Sequence, residues 1–263
     1  MFKREMKINL KSFIIWLSML NLLFLIVFLV YPSIINSDNI KMLDEMMKVF
    51  PEEILKAFNM DISSLDSAYG WLKSEGFVFV LLIIGCYAGI LGSNILLKEE
   101  NDKTIEYLNS LPISRKNIVI SKVISGLIYI ILITILLAIF NYIALLISGD
   151  FNHKQYILLS ITPIFSSVVI YFLCLFISTF THKTKKTIGL SLGLVLISYM
   201  FQILSTLSEN VEFLKYFSVF TLSDIRNVIL NNSINPIMVL SSIILSIIFL
   251  ILTLIRYQRK ELI

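Results

Sequence analysis

Six continuous apolar runs of 18 to 25 residues organise this 263-residue chain, over residues 13–30, 77–97, 124–147, 156–180, 187–207 and 237–255. None contains Asp, Glu, Lys, Arg or His. A helix rises about 1.5 Å per residue, so about 20 apolar residues cross the roughly 30 Å of hydrocarbon in a bilayer. In that medium backbone amides and carbonyls have no water to turn to, and only helices or closed barrels satisfy them. Barrel strands are about ten residues long and alternate in polarity, whereas these runs are unbroken and rich in Leu and Ile. The composition agrees: 57% of residues are hydrophobic and mean hydropathy is +0.86, against roughly 45–50% apolar residues in soluble domains. The expected fold is an all-α membrane protein with six transmembrane helices, forming a single transmembrane domain over 1–263.

The basic residues orient it. With the first residues placed inside, Lys3, Arg4, Lys7, Lys11, Lys98, Lys103, Arg115, Lys116, Lys122, Lys183, Lys185, Lys186, Arg256, Arg259 and Lys260 fall in inner segments. These are 15 of the 22 Lys and Arg, while 12 of the 18 carboxylates fall outside. The positive-inside rule then predicts a multi-pass protein with both N- and C-termini cytoplasmic. The net charge of +4 is explained by topology and contact with anionic membrane lipid, and calls for no nucleic acid.

The segments between the runs carry further expectations. Phe2, Met6, Leu10 and Phe13 recur at helical spacing between basic residues, which predicts an N-terminal interfacial helix ahead of an uncleaved first span. Residues 36–75 form the one sizeable outer segment. There Leu43, Met46, Met47, Phe50, Ile54 and Phe58 make an apolar stripe, and Pro51 with Glu52 and Glu53 suits a helix start, predicting two short extracellular amphipathic helices. Residues 209–235 are too polar for a seventh span and read as an interfacial or partly re-entrant helix. Gly85 with Gly89, and Gly189 with Gly193, have the spacing that lets helices approach closely.

Much familiar chemistry is missing. No GxxxxGK[ST] loop is present to cradle ATP, and His153 and His182 lie in solvated loops on opposite sides of the membrane. Cys86 and Cys174 sit inside different spans, without the spacing of a metal site or a disulfide framework. Glu99 and Glu100 raise the alternative of a membrane-embedded protease or processing enzyme that uses paired glutamates. Their setting beside Asn101, Asp102 and Lys103 reads instead as a solvated helix end. A third alternative is a non-transporting membrane anchor that recruits an ATPase.

The segment from Lys98 to Lys122 is of another kind. Ile105, Glu106, Tyr107 and Leu108 fit one short helix that Leu111-Pro112 ends, since proline disfavours helix at the residue before it. Ser114 then stands as the N-cap of the next helix. Glu99-Glu100, Lys103-Thr104-Ile105-Glu106-Tyr107-Leu108, Ser110-Leu111-Pro112-Ile113-Ser114-Arg115 and Ser121-Lys122 together resemble the permease subunits of ABC-2 type transporters. The pattern of that family is E-E-x-x-G-T-[IL]-[ED]-x-L-L-[AS]-x-P-[IV]-S-R. Phe50 to Phe58, Gly70-Trp71-Leu72 and Leu214 to Phe220 are similar to further parts of it. Lys103 stands where the family has Gly, and Val219 where Pro is common.

The resemblance implies a six-span permease subunit of an ATP-binding cassette exporter. It is expected to pair with a second permease subunit, identical or paralogous, and with separate cytoplasmic ABC ATPase subunits that bind ATP and Mg. It also implies a cytoplasmic coupling helix between the second and third spans, with Glu99, Glu106, Leu108, Pro112, Ser114 and Arg115 as coupling residues. The charge-free spans suit an amphipathic or hydrophobic substrate, such as a peptide antibiotic, a toxin or a lipid-like compound. No catalytic residue, cofactor or metal site is expected in this chain.

Overall fold

The computed structural model describes residues 1–34, 45, 49, 67–105 and 112–260. Every regular element among them is a helix, and six helices are long and apolar enough to cross a bilayer. They run over Phe2–Tyr31, Ala68–Ile95, Arg115–Ser148, His153–Ser178, Thr184–Leu207 and Pro236–Arg259, and are called the first to sixth spans. The outer stripe from Leu43 to Phe58 lies outside the described residues.

Local sequence accounts for how the helices start and bend. Ser67, Ser114, Asn152 and Asn235 each accept a backbone N–H from the first turn of the helix they precede, satisfying donors that a helix start leaves open. Pro236 opens the sixth span, where a missing N–H is harmless. Pro163 divides the fourth span into His153–Ile161 and Pro163–Ser178, because its ring removes a helical hydrogen bond. The second span begins with one α turn, passes through a π-helical stretch at Leu72–Gly76, and continues as Phe77–Ile95.

The second span is the hub of the bundle and packs chiefly on the fourth and fifth; the fourth packs on the sixth, and the first on the third. Burial follows this order: 67% of the apolar window of the second span is inside the protein, against 17% for the first and sixth. The outward faces of the peripheral spans carry Leu and Ile, the residues a lipid-facing helix presents. The second and fourth spans approach closely at Gly92, where an added Cβ would collide with the carbonyl oxygen of Tyr171 on the fourth span. Gly85 and Gly89 also face neighbours, Phe220 with Ile170 and Val195 with Cys174 respectively. A Cβ at Gly189 or Gly193 would meet nothing within 4 Å.

Two regions differ from what their sequence suggests. No break separates residues 2–13 from the first span, since Phe2–Ile34 is one helix. Its buried face carries Glu5, Asn9, Phe13, Leu20 and Phe24, while Phe2 and Leu10 are exposed. The apolar stripe loses because a lysine on the third span attracts the polar face inward. Residues 209–235 form three short pieces, two 3-10 helices at Glu209–Phe217 and Val219–Leu222 and an α-helix at Ile225–Asn231. Hydroxyl bonds to the spans interrupt them: Ser223 Oγ donates to Thr162 O at 2.7 Å, and the Val219 N–H donates to Ser198 Oγ at 2.8 Å.

Candidate functional site: an ionic cluster at the basic end of the bundle

The spans bring residues 1–5, 95–105, 112–122, 181–183 and 256–260 to one end, here called the basic end. At the opposite end Tyr69, Gln155, Ile229 and Asn232 are joined by hydrogen bonds. The basic end holds two buried ionic groups, built on the adjacent carboxylates Glu99 and Glu100.

Lys122 forms the centre of the first. It lies about two turns into the third span, on the buried face with Val119, Val123 and Gly126, and is 0% exposed. Its ammonium donates to Glu99 Oε1 at 2.8 Å and Oε2 at 2.7 Å, to Glu5 Oε2 at 3.3 Å, and to the Ile95 carbonyl at 2.7 Å. Glu5 and Glu99 are themselves buried. A charge taken out of water this completely persists only when paired and hydrogen-bonded. Ile95 ends the second span, so the ammonium also sits at the negative end of that helix dipole. Tyr129, also on the third span, donates its hydroxyl to the Met6 carbonyl of the first. One lysine thus joins the first, second and third spans.

Glu100 forms the second group. Its Oε1 accepts from Lys260 Nζ at 2.7 Å, and its Oε2 lies 2.8 Å from His182 Nδ1, on a ring that is half exposed. Lys260 Nζ also donates to the Thr181 carbonyl at 2.7 Å. Burial pulls the Lys260 ammonium below the ordinary lysine value, against the opposing pull of Glu100. This group joins the ends of the second, fourth and sixth spans.

Between the carboxylates and the third span runs the polar segment. Lys98–Asn101 is a single helical turn that closes in a Schellman arrangement: the Thr104 N–H donates to Glu99 O at 2.9 Å and the Lys103 N–H to Glu100 O at 3.4 Å. The closure requires a left-handed residue at Lys103, which has φ +53°. Only glycine adopts that conformation without steric cost, which is the physical sense of Gly in the pattern this chain departs from. Ile105 is buried against Ile118, with Met1 and Ile113 packed beside them. Arg115 Nη1 donates to Lys260 O at 2.9 Å and to Gln258 O at 3.4 Å.

The coupling residues expected from the sequence therefore divide. Glu99 is buried at the root of the segment and Arg115 is half-buried against the end of the sixth span, while Pro112 and Ser114 are exposed. Glu106 and Leu108 lie outside the described residues. The reading of Glu99 and Glu100 as a solvated helix end is overturned, because Lys122 and Lys260 reach them from the third and sixth spans. Glu5, Lys122, His182 and Lys260 were not singled out as site residues. The available signal was the i, i+4, i+8 spacing of Glu5, Asn9 and Phe13, and the position of Lys122 among Val119, Val123 and Gly126 at helical spacing. Among the described residues, no group of three or more His, Cys, Asp and Glu could hold a metal ion.

Six apolar spans, with buried ion pairs between the ends of several of them, define a multi-pass helical membrane protein. The chain belongs to the ABC-2 family: the family model for ABC-2 family transporter proteins matches residues 1–262. It is thus a permease subunit of an ABC transporter rather than an enzyme. Comparison with curated proteins and with solved structures gives no match.

Proposed function

We propose that this permease forms the membrane path of an ATP-driven exporter for an amphipathic or hydrophobic substrate. The energy is supplied by separate ABC ATPase subunits that bind ATP and Mg. The basic end faces the cytoplasm of a bacterial cell, as the distribution of Lys and Arg favours. Segment 98–115 docks on the ATPase, and a second permease subunit completes the path.

One observation carries this reading. The roots of the segment are tied by ion pairs and by hydrogen bonds from cations to carbonyls to the first, second, third, fourth and sixth spans at once. A force applied to the segment by a closing ATPase dimer reaches those spans through contacts that have little slack, because the Lys122 pairs with Glu5 and Glu99 and the Lys260 pair with Glu100 are buried. Two discrete arrangements of the spans can then be biased by nucleotide in the partner. In this arrangement Glu99 and Arg115 transmit, Pro112 and Ser114 lie at the docking face, and Glu106 and Leu108 contribute from the coupling helix. The apolar spans favour a substrate with a large hydrophobic part, since a hydrophilic path needs more buried polar groups.

The test is purification of the chain from its native membrane in mild detergent. The expected result is an ATPase with a phosphate loop in fixed ratio to the permease, and a Glu106→Arg variant that keeps its place in the membrane but no longer couples hydrolysis to transport. A chain that purifies without any ATPase from membranes where it is active would overturn the proposal.

A further inference from the structure

Lys260 touches both ends of the polar segment. Its ammonium holds Glu100, immediately before the closing turn at Asp102 and Lys103, and its carbonyl accepts from Arg115, the first residue of the third span. The two contacts are independent in kind, one through the side chain and one through the main chain, and they converge on a single residue 160 positions away from Glu100 in sequence. Lys260 is itself held, since its ammonium donates to the Thr181 carbonyl at the end of the fourth span and its N–H to the Tyr257 carbonyl of the sixth. Arg115 adds a bond to Gln258 O, so that it caps carbonyls that the last turn of a helix leaves open and places a cation at the negative end of the dipole.

We propose that Lys260 is a clasp, a positioning residue that fixes the two ends of segment 101–114 relative to one another and to the sixth span. Without it the segment is anchored at its first end through the second span and at its second end through the third, with the small cluster of Ile105, Ile118, Met1 and Ile113 as a further support. With it, a shift of the sixth span moves both ends together. Buried pairs of this kind contribute weakly to stability and are best attested as devices that specify geometry. The contact is a feature of the fold, whereas its role in energy coupling rests on the permease reading above.

The experiment compares the full-length chain in lipid nanodiscs with three variants. Lys260→Met keeps the volume and removes the charge, Lys260→Arg keeps the charge, and Glu100→Gln with Lys260→Met removes both charges so that no carboxylate is left buried alone. Amide hydrogen exchange is read at residues 100–105 and 113–117, with the fourth span as internal control. Lys260→Met and the double variant should exchange about tenfold faster at 100–105, the end held by the side chain, while 113–117, held through the Lys260 carbonyl, and the fourth span stay at the wild-type level and Lys260→Arg restores protection at 100–105. Protection at 100–105 that stays at the wild-type level in both Lys260→Met and the double variant overturns the clasp, whatever transport does. So does faster exchange that Lys260→Arg fails to restore. Transport per ATP hydrolysed, measured with the co-purified ATPase, should fall at least about fivefold in Lys260→Met. If exchange responds as stated but the purified chain has no ATPase, the clasp stands as a structural contact and the permease coupling falls.

Discussion

Lys122 on the third span places its ammonium 2.7 and 2.8 Å from the two carboxylate oxygens of Glu99 at the foot of the second, with both side chains out of reach of solvent. A basic residue next to a span ordinarily rests in the headgroup region. Here it turns inward, because Glu5 and Glu99 together offer it more than lipid and water do.

Lys122→Met should destabilise the protein by about 3–5 kcal/mol, since it leaves Glu5 and Glu99 buried without a counter-ion. Adding Glu5→Gln and Glu99→Gln should recover much of the loss by removing the stranded charges. Thermal unfolding in detergent measures both effects. A single Lys122→Met variant as stable as the wild type would contradict the fully buried pairing.

Lys103→Gly should stabilise the turn after Asn101 by about 0.5–1 kcal/mol, because a non-glycine residue in the left-handed region costs about 1–2 kcal/mol and the added backbone entropy takes back part of the gain. Lys103→Val should move in the opposite direction. Unfolding midpoints of the two variants read the difference.

Gly92→Ala should cost about 1–3 kcal/mol, as overpacking does when the obstructing atom belongs to a backbone and cannot step aside. Gly189→Ala and Gly193→Ala have open space around the new methyl group, so within one chain they should be neutral or stabilising by up to about 1 kcal/mol. If either of these two instead disperses a purified dimer, that face belongs to the second permease.

Ser223→Ala should cost about 1–3 kcal/mol. It removes the hydroxyl that bonds Thr162 O at 2.7 Å and Ser166 Oγ at 2.8 Å and accepts from the Ser166 N–H at 3.1 Å, leaving a buried backbone donor unsatisfied. Loss of amide protection at Ser166 would report it directly.

The lowered Lys260 value sets a sign for pH dependence. Between that value and the ordinary 10.5 the unfolded chain holds the additional proton, so the contribution of this group to stability rises with pH across the window and is constant below it. Lys260→Met should therefore flatten the alkaline limb of the stability curve relative to wild type, an effect read from unfolding midpoints between neutral pH and the point where other groups titrate.

The spans were legible because the signal is local: each apolar run contains within itself the length and the hydrogen bonding that a bilayer demands. The cap at Ser114 was legible for the same reason, needing only its own first turn. The ionic cluster was not. Glu99 and Glu100 read as a wet helix end because their partners lie 23 and 160 residues further on, and Lys122 read as a topology signal because hydropathy registers its charge but not the two carboxylates facing it. The polar face of the first helix was hidden likewise, since Phe2 and Leu10 outscore Glu5 and Asn9 on any scale that ignores what stands opposite.

By itself, then, the sequence determined an all-helical membrane protein of six spans and its membership of a permease family, because bilayer insertion and helix capping are decided within a few turns of chain. Only the tertiary structure decided that charges from the first, second, third and sixth spans meet in two buried groups, and that Lys260 reaches both ends of the polar segment. Electrostatic pairing depends on distance in space, which the order of residues along the chain does not record.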